Sequence, residues 1–114
     1  MYKQGDILLI PIPFSDLTSS KKRPVLVLSN SKYNKVTEDI LVVAITSNLE
    51  EKEYAVIITN EDMEEGALKV DSCVRTDKIY TLSKFIVIKK IGSIKTDIIN
   101  QIKVKLHDLL EEKP

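Results

Sequence analysis

Three short polar stretches interrupt text that otherwise reads as β-strand: KKRP (Lys21 to Pro24), AITSN (Ala44 to Asn48) and CVRTDK (Cys73 to Lys78). Each has residues able to handle a phosphate. In the first, Pro24 fixes its own backbone and biases Arg23 to an extended conformation, while Lys21 and Lys22 stay mobile. A guanidinium fork matches phosphate oxygens geometrically. The competing reading is a solvated basic loop whose arginine bridges to a neighbouring carboxylate. In the second, an apolar run ends in Thr46, Ser47 and Asn48. Strand alternation places Thr46 on the face of Val42 and Ala44. Its hydroxyl suits a phosphate oxygen, or equally the backbone of the following turn. In the third, Arg75 and Asp77 are two apart and share a face, with Val74, Thr76 and Lys78 on the other. Opposite charges so placed form an ion pair or a site.

Composition narrows the chemistry. One cysteine, Cys73, and one histidine, His107, occur in 114 residues. An internal disulfide is impossible, and a His/Cys zinc site or other metal cluster is not expected. No cofactor is expected. Cys73 reads as a small buried residue, and His107 as a cation complementing a helix C-terminus. Tyr54, Tyr80 and Phe85 read as packing residues, although an exposed ring could stack a base. The net charge is zero but uneven. Residues 1–49 carry six basic and four acidic side chains, residues 50–66 one and seven, and residues 67–114 ten and six. This argues against a strongly basic, non-specific binder, while local patches still set the field a phosphate feels. The longest apolar runs, Ile7 to Ile12 and Ile40 to Ile45, are strand-sized and too short to span a bilayer. No signal peptide is read, so a cytoplasmic location and no membrane contact are expected.

The elements that must position these residues follow from periodicity. One domain over residues 1–114 is expected, without repeats or linkers. Strands are predicted at Gly5 to Ile12, Pro24 to Ser29, Asp39 to Ser47, Glu53 to Thr59, Ser72 to Tyr80 and Phe85 to Ile91, the last ended by Gly92. Asp39 to Ser47 is so apolar that burial on both faces is expected. Polar loops are read over Phe14 to Lys22 and Ser31 to Glu38. NEDMEEG (Asn60 to Gly66) reads as a turn or one helical turn, capped by Asn60 and stopped by Gly66. The period then changes. Ile98, Ile102, Leu106 and Leu109, widened by Ile99 and Leu110, form the apolar stripe of an amphipathic helix of roughly four turns. Ser93 or Thr96 is its expected cap, with Asp97 favourable in the first turn. Many short strands followed by a helix predict a small, bent antiparallel sheet or barrel with the helix packed on it.

In order along the chain, QGDILLIPIPFSDLTSSKKRPVLVLSN, LVVAITSN, DSCVRTDKIYTLSK, IKKIGSI and a terminal helix together resemble the MazF/PemK toxins, over nearly the whole sequence. The most specific parts are G-D-I, R-P-V-L-V and A-I-T-S. The resemblance implies a compact SH3-like antiparallel β-barrel with a C-terminal amphipathic helix, usually a symmetric homodimer. It implies a metal-independent endoribonuclease that cuts single-stranded RNA, mRNA included, at short sequences, the toxin half of a type II toxin–antitoxin pair. An acidic segment of the cognate antitoxin would block the RNA groove. Arg23 and Thr46 match the catalytic positions of the MazF branch, and Arg75 and Asp77 match the R-x-D of the PemK branch. RNA-binding positions implied are Phe14, Ser15, Ser20, Lys21, Lys22, Ser47, Asn48 and Lys78. The sequence departs from the common R-T-[IL]-D segment, with Tyr80 at the arginine position and Ser83 at the aspartate. Barrels that poison DNA gyrase, and catalytically silent modules that bind only antitoxin or nucleic acid, are the alternative readings.

RNA supplies its own nucleophile, the ribose 2′-hydroxyl. Catalysis then needs a proton acceptor, donors for a charged phosphorane and an acid for the leaving 5′-oxygen. Asp77 is the expected acceptor, Arg23 and Arg75 the clamp, and Thr46 a hydrogen-bond donor. An arginine is a poor proton donor because its pKa exceeds about 12. The acid is left unassigned.

Overall fold

The computed structural model describes residues 1–11, 21–50 and 53–113. Seven strands form one antiparallel sheet in the order β4-β6-β3-β2-β1-β7-β5. They are β1 (Asp6–Pro11), β2 (Lys22–Val27), β3 (Asp39–Thr46), β4 (Ala55–Ile58), β5 (Met63–Gly66), β6 (Ser72–Ser83) and β7 (Lys89–Ile94). A short helix, α1 (Ser31–Val36), joins β2 to β3, and α2 (Thr96–Leu110) follows β7. The sheet curls into a half-barrel with α2 against it, as the strand-rich pattern predicts.

Strand alternation sorts the core into two clusters. Ile7, Leu26 and Val43 lie side by side on neighbouring strands and face α2, joining Ile45, Val56, Ile58, Val74 and Ile94 with Ile98 and Ile102 of the helix. Leu8, Ile10, Val25, Val27, Ile40 and Val42 form the second cluster on the opposite face. β3 is therefore buried on both sides, which is why it is almost entirely apolar. Along α2, Ile98 and Ile102 are buried and Ile99, Leu106 and Leu109 half-buried, whereas Leu110 is 73% exposed and lies off the stripe.

Several boundaries differ from expectation. The polar stretch after β2 is helical: Asn30 Oδ1 accepts the Tyr33 N–H at 2.8 Å, and buried Asn34 ties the helix to the Tyr2 and Ser29 carbonyls at 3.1 and 3.0 Å. The NEDMEEG stretch holds a 3₁₀ turn over Asn60–Asp62, capped by Thr59 rather than Asn60, and then β5. The Asn60 side chain instead bridges the N–H and C=O of Leu68. The last strand begins at Lys89, after a 3₁₀ turn at Lys84–Ile86 that Ser83 caps. Gly92 does not end it. It pairs with Gly66, and a Cβ there would run into the Glu65 carbonyl, so glycine permits close strand approach. At the start of α2, Lys95 takes the N-cap position without a side-chain bond, and Asp97 lies in the first turn.

The G-D-I segment has a clear local reason. Gly5 has φ +92°, a left-handed conformation, and a Cβ there would sit 2.6 Å from Ile99 Cδ1. Asp6, 1% exposed, accepts the Lys3 N–H at 2.9 Å and pairs with Lys90 at 3.3 Å. β1 is thus held between the helix and β7.

Candidate active site

The face of the sheet away from α2 carries the polar insertions. Arg23 pairs with Ile10 across β1 and β2, and so continues the face of Val25 and Val27. On β3 the same face runs Val42, Ala44, Thr46. Val25 pairs with Ala44, so the register extended by two residues sets Arg23 opposite Thr46. The β2–β3 ladder stops at that Val25–Ala44 pair, one residue short of Pro24, which has no N–H to offer it. The two strand ends separate beyond this point, and a cleft opens between them.

On the other side of β3, Arg75 pairs with Ala44 and Thr46 with Cys73. A bulge follows. Val43, one step along β3, pairs with Ile79, four steps along β6. The three intervening residues, Thr76 to Lys78, shift the strand by an odd number of positions and reverse its alternation. Thr76 anchors the bulge. It is fully buried, its N–H donates to the Tyr54 carbonyl at 3.0 Å, and its hydroxyl donates to the same oxygen. Two consequences depart from simple alternation. Lys78 joins the side of Arg75, and Tyr80 comes opposite Val42 on the same face.

A cleft of ≈ 210 Å³ results, lined by Arg23, Ala44, Ile45, Thr46, Asn48, Glu50, Arg75, Lys78 and Tyr80. It shares Arg23, Ala44, Ile45 and Tyr80 with an adjoining, more apolar cavity of ≈ 420 Å³ that runs over Pro24, Val25 and Leu82. Three cations meet one carboxylate in the smaller cleft, an environment that favours an anion.

Local turns fix its rim. Thr46 Oγ1 accepts the Asn48 N–H at 3.2 Å, so its own O–H remains to donate. Asn48 Oδ1 accepts the Glu50 N–H at 3.1 Å. These two bonds fix the backbone of the turn after β3, and residues 46, 48 and 50 all line the cleft. Asp77 grips Arg75 through two hydrogen bonds, Nε to Oδ1 at 2.9 Å and Nη2 to Oδ2 at 2.8 Å. The hydrogen bond from Arg75 holds the Asp77 carboxyl below the usual carboxylate range, and the same bond raises the guanidinium further.

Of the residues singled out in the sequence, Arg23, Thr46, Asn48, Arg75 and Lys78 come together on the cleft wall. Asp77 reaches it through Arg75 rather than lining it. Lys21, Lys22 and Ser47 are exposed beside it. Phe14, Ser15 and Ser20 lie outside the described residues. Glu50 was not anticipated, because its side chain follows a turn whose direction no periodicity gives. Cys73 is buried as expected, and His107 near the end of α2 pairs with Glu111 at 3.3 Å. Among the described residues, no three His, Cys, Asp or Glu side chains are grouped to hold a metal ion. No helix among them is long and apolar enough to cross a membrane.

A half-barrel with a helix on one face and a cleft lined by three cations on the other defines a small β-barrel protein. Its lineage is specific. The family described as PemK-like, MazF-like toxin of type II toxin–antitoxin system matches residues 3–110, and the chain belongs to that family. Solved structures agree on the fold. An endoribonuclease from a Mycobacterial species, in complex with its cognate antitoxin, superposes with a TM-score of 0.81 at 21% identity, covering 100% of both chains. A MazE–MazF complex from Deinococcus radiodurans gives 0.78 at 22% identity, covering 96% of this chain and 95% of that one. The toxin MazF-mt6 of Mycobacterium tuberculosis gives 0.76 at 16%, covering 96% and 99%. Comparison with curated protein sequences gives no significant match.

Proposed function

We propose that this chain is a sequence-specific endoribonuclease that cuts single-stranded RNA without a metal ion, and that it is the toxin of a toxin–antitoxin pair acting in the cytoplasm. The observation that carries this reading is the meeting of Arg23, Thr46 and Arg75, from three adjacent strands, in one cleft. A phosphate seated there meets two guanidinium groups and a hydroxyl whose hydrogen is available. The protein supplies charge stabilisation, and RNA supplies the nucleophile.

The step runs as follows. Asp77 takes the proton of the 2′-hydroxyl, directly or through a water. The 2′-oxygen forms a bond to phosphorus and the bond to the 5′-oxygen breaks. Products are a 2′,3′-cyclic phosphate, or the 3′-phosphate after hydrolysis, and a 5′-hydroxyl that takes its proton from a group not assigned. Both oxygens of Asp77 already accept from Arg75, yet each keeps a second lone pair for the 2′-hydroxyl. The lowered basicity of Asp77 argues for moderate proton transfer and strong electrostatic stabilisation by the arginines. Exposed Lys21 and Lys22, together with Phe14, Ser15 and Ser20, position the RNA backbone.

Two of the similar structures hold an antitoxin with the toxin, which supports an acidic antitoxin segment as the natural competitor for this cationic cleft. A symmetric homodimer is the assembly proposed. The test is purified protein incubated with a defined single-stranded RNA in EDTA, with the ends mapped. Cyclic-phosphate ends that Arg23→Ala abolishes support the nuclease. Intact RNA with trapped gyrase–DNA complexes would instead mark a gyrase poison, and intact RNA without them a silent binding module.

A further inference from the structure

The cleft continues into the larger apolar cavity of ≈ 420 Å³, which the proposed chemistry does not use. The floor common to the two follows from the register. Ala44 pairs with Val25 on β2 and with Arg75 on β6, and Val42 and Thr46 flank it along β3 on the same face. A single methyl group among four larger side chains leaves a hollow there. Tyr80 forms a wall common to both spaces. Its direction is set by the strand: it pairs with Val42, and directly paired residues of an antiparallel ladder project to one face. Val42 is fully buried on that face, whereas Tyr80 is left 41% exposed. Leu82, paired with Ile40, continues the wall two residues on. The register thus sets a cationic end, at Arg23, Thr46 and Arg75, and an apolar end, at Val25, Tyr80 and Leu82, on either side of Ala44.

A ligand that fills both ends needs an anion and an apolar group joined at short range. A nucleotide has both, with one sugar between its phosphate and its base. Every base presents flat π-faces, and an exposed aromatic ring on a strand is a surface on which they stack. Arg23, on the shared wall, adds a guanidinium plane that stacks in the same way. Among the described residues lining the apolar end none is acidic, so it does not repel a polyanion. A flat base fits this wall better than an aliphatic peptide side chain does, because its exposed part is an aromatic ring beside a guanidinium.

We propose that the apolar end is a base subsite, in which Tyr80 stacks the base of a nucleotide adjoining the phosphate held by Arg23, Thr46 and Arg75. The proposal rests on the nuclease reading above and deepens it, by giving the bound RNA a fixed point beside its scissile bond. Stacking accepts any base, so Tyr80 supplies affinity and alignment rather than base identity.

The experiment steps a single abasic nucleotide through a cleavable single-stranded RNA and measures the single-turnover rate for the unaltered protein, Y80A and Y80F. In the unaltered protein the abasic nucleotide is expected to slow cleavage by roughly ten- to a hundredfold at a position adjoining the cut, the worth of one base–aromatic stack. Y80A cuts the intact RNA more slowly by a similar factor and loses the penalty at that position alone, because no stack is left to lose. Y80F retains the ring and with it the penalty. Y80L, which keeps apolar cover beside Val42, replaces Y80A if thermal unfolding shows the smaller side chain to loosen the sheet. An abasic profile identical in Y80A and the unaltered protein overturns the proposal. With a smaller assembly in sedimentation, that result gives the cavity to a second copy of the chain, and with no such change to a different protein. The same series is read as binding affinity. A protein that cuts none of these RNAs overturns the nuclease reading, and the subsite is then judged by whether the abasic penalty on binding disappears in Y80A.

Discussion

Asp77 and Arg75 lie two residues apart at the mouth of a bulge, and the aspartate binds the guanidinium with both oxygens, at 2.9 and 2.8 Å. The pair orders an arginine at the edge of solvent, with its side chain 20% exposed. It also couples the proton affinity of Asp77 to Arg75. Asp77→Asn removes the proposed proton acceptor and one member of the fork. Single-turnover cleavage is expected to fall about a hundredfold or more, with a smaller change in affinity for an RNA carrying 2′-deoxyribose at the cut. Equal losses in rate and affinity would leave Asp77 a purely structural partner.

The same coupling sets a pH dependence. Arg75 lowers the Asp77 pKa, so Asp77 stays ionised as pH falls through the ordinary carboxylate range. Cleavage is expected to hold its rate there and to decline only at lower pH. In Arg75→Gln the Asp77 pKa returns upward, and the acid limb moves to higher pH, whatever the lost amplitude. The stability contribution has the same sign. It is present above the unfolded pKa, near 4, and lost as pH falls through the lower folded value. Coincident acid limbs in the two proteins would show that Arg75 does not govern this group.

Arg23→Ala and Thr46→Val each remove one donor from the cleft wall while leaving strands β2 and β3 to pack as before. Losing a preorganised donor to the charged phosphorane costs about a hundredfold in rate. Thr46→Val also deletes the acceptor for the Asn48 N–H, so Thr46→Ser is the control and should keep most of the activity. The readout is single-turnover rate at saturating protein, with thermal unfolding to confirm that both variants fold.

Salt reports the cations directly. If Arg23, Arg75 and Lys78 each neutralise one phosphate, the log–log slope of RNA affinity against salt is about −2. Lys78→Ala should reduce its magnitude by about 0.7 without altering which sequence is cut. An unchanged slope would remove Lys78 from the phosphate path.

Gly5→Ala tests the fold rather than the site. The residue has φ +92°, and its added Cβ would press on Ile99 of α2. Stability is expected to drop by about 1–3 kcal/mol, read from denaturant unfolding.

Much of this architecture is legible in the residues. The apolar runs Ile7 to Ile10, Val25 to Val27 and Ile40 to Ile45 give their strands directly, and the stripe through Ile98 and Ile102 gives the helix. The exceptions have local causes. Asn30 begins a helix with no apolar stripe, because its burial depends on Asn34 and on backbone carbonyls. Gly92 reads as a terminator until the close approach of Glu65 explains it. At the site, Arg23, Thr46 and Arg75 are recognisable as polar insertions in strand-like text. Lys78 was assigned to the wrong face, and Glu50 was missed, because a bulge and a pair of turns leave no periodic trace in sequence.

The bulge at Thr76 to Lys78 works as an expansion joint. On one side, Arg75 stays locked to Ala44, and on the other Tyr80 stays locked to Val42. Chain taken up or given back between them need move neither. The cationic wall at Arg75 and the adjoining apolar wall beyond Tyr80 can therefore drift at independent rates along a single strand. A lineage could reshape one wall while the other stays in place.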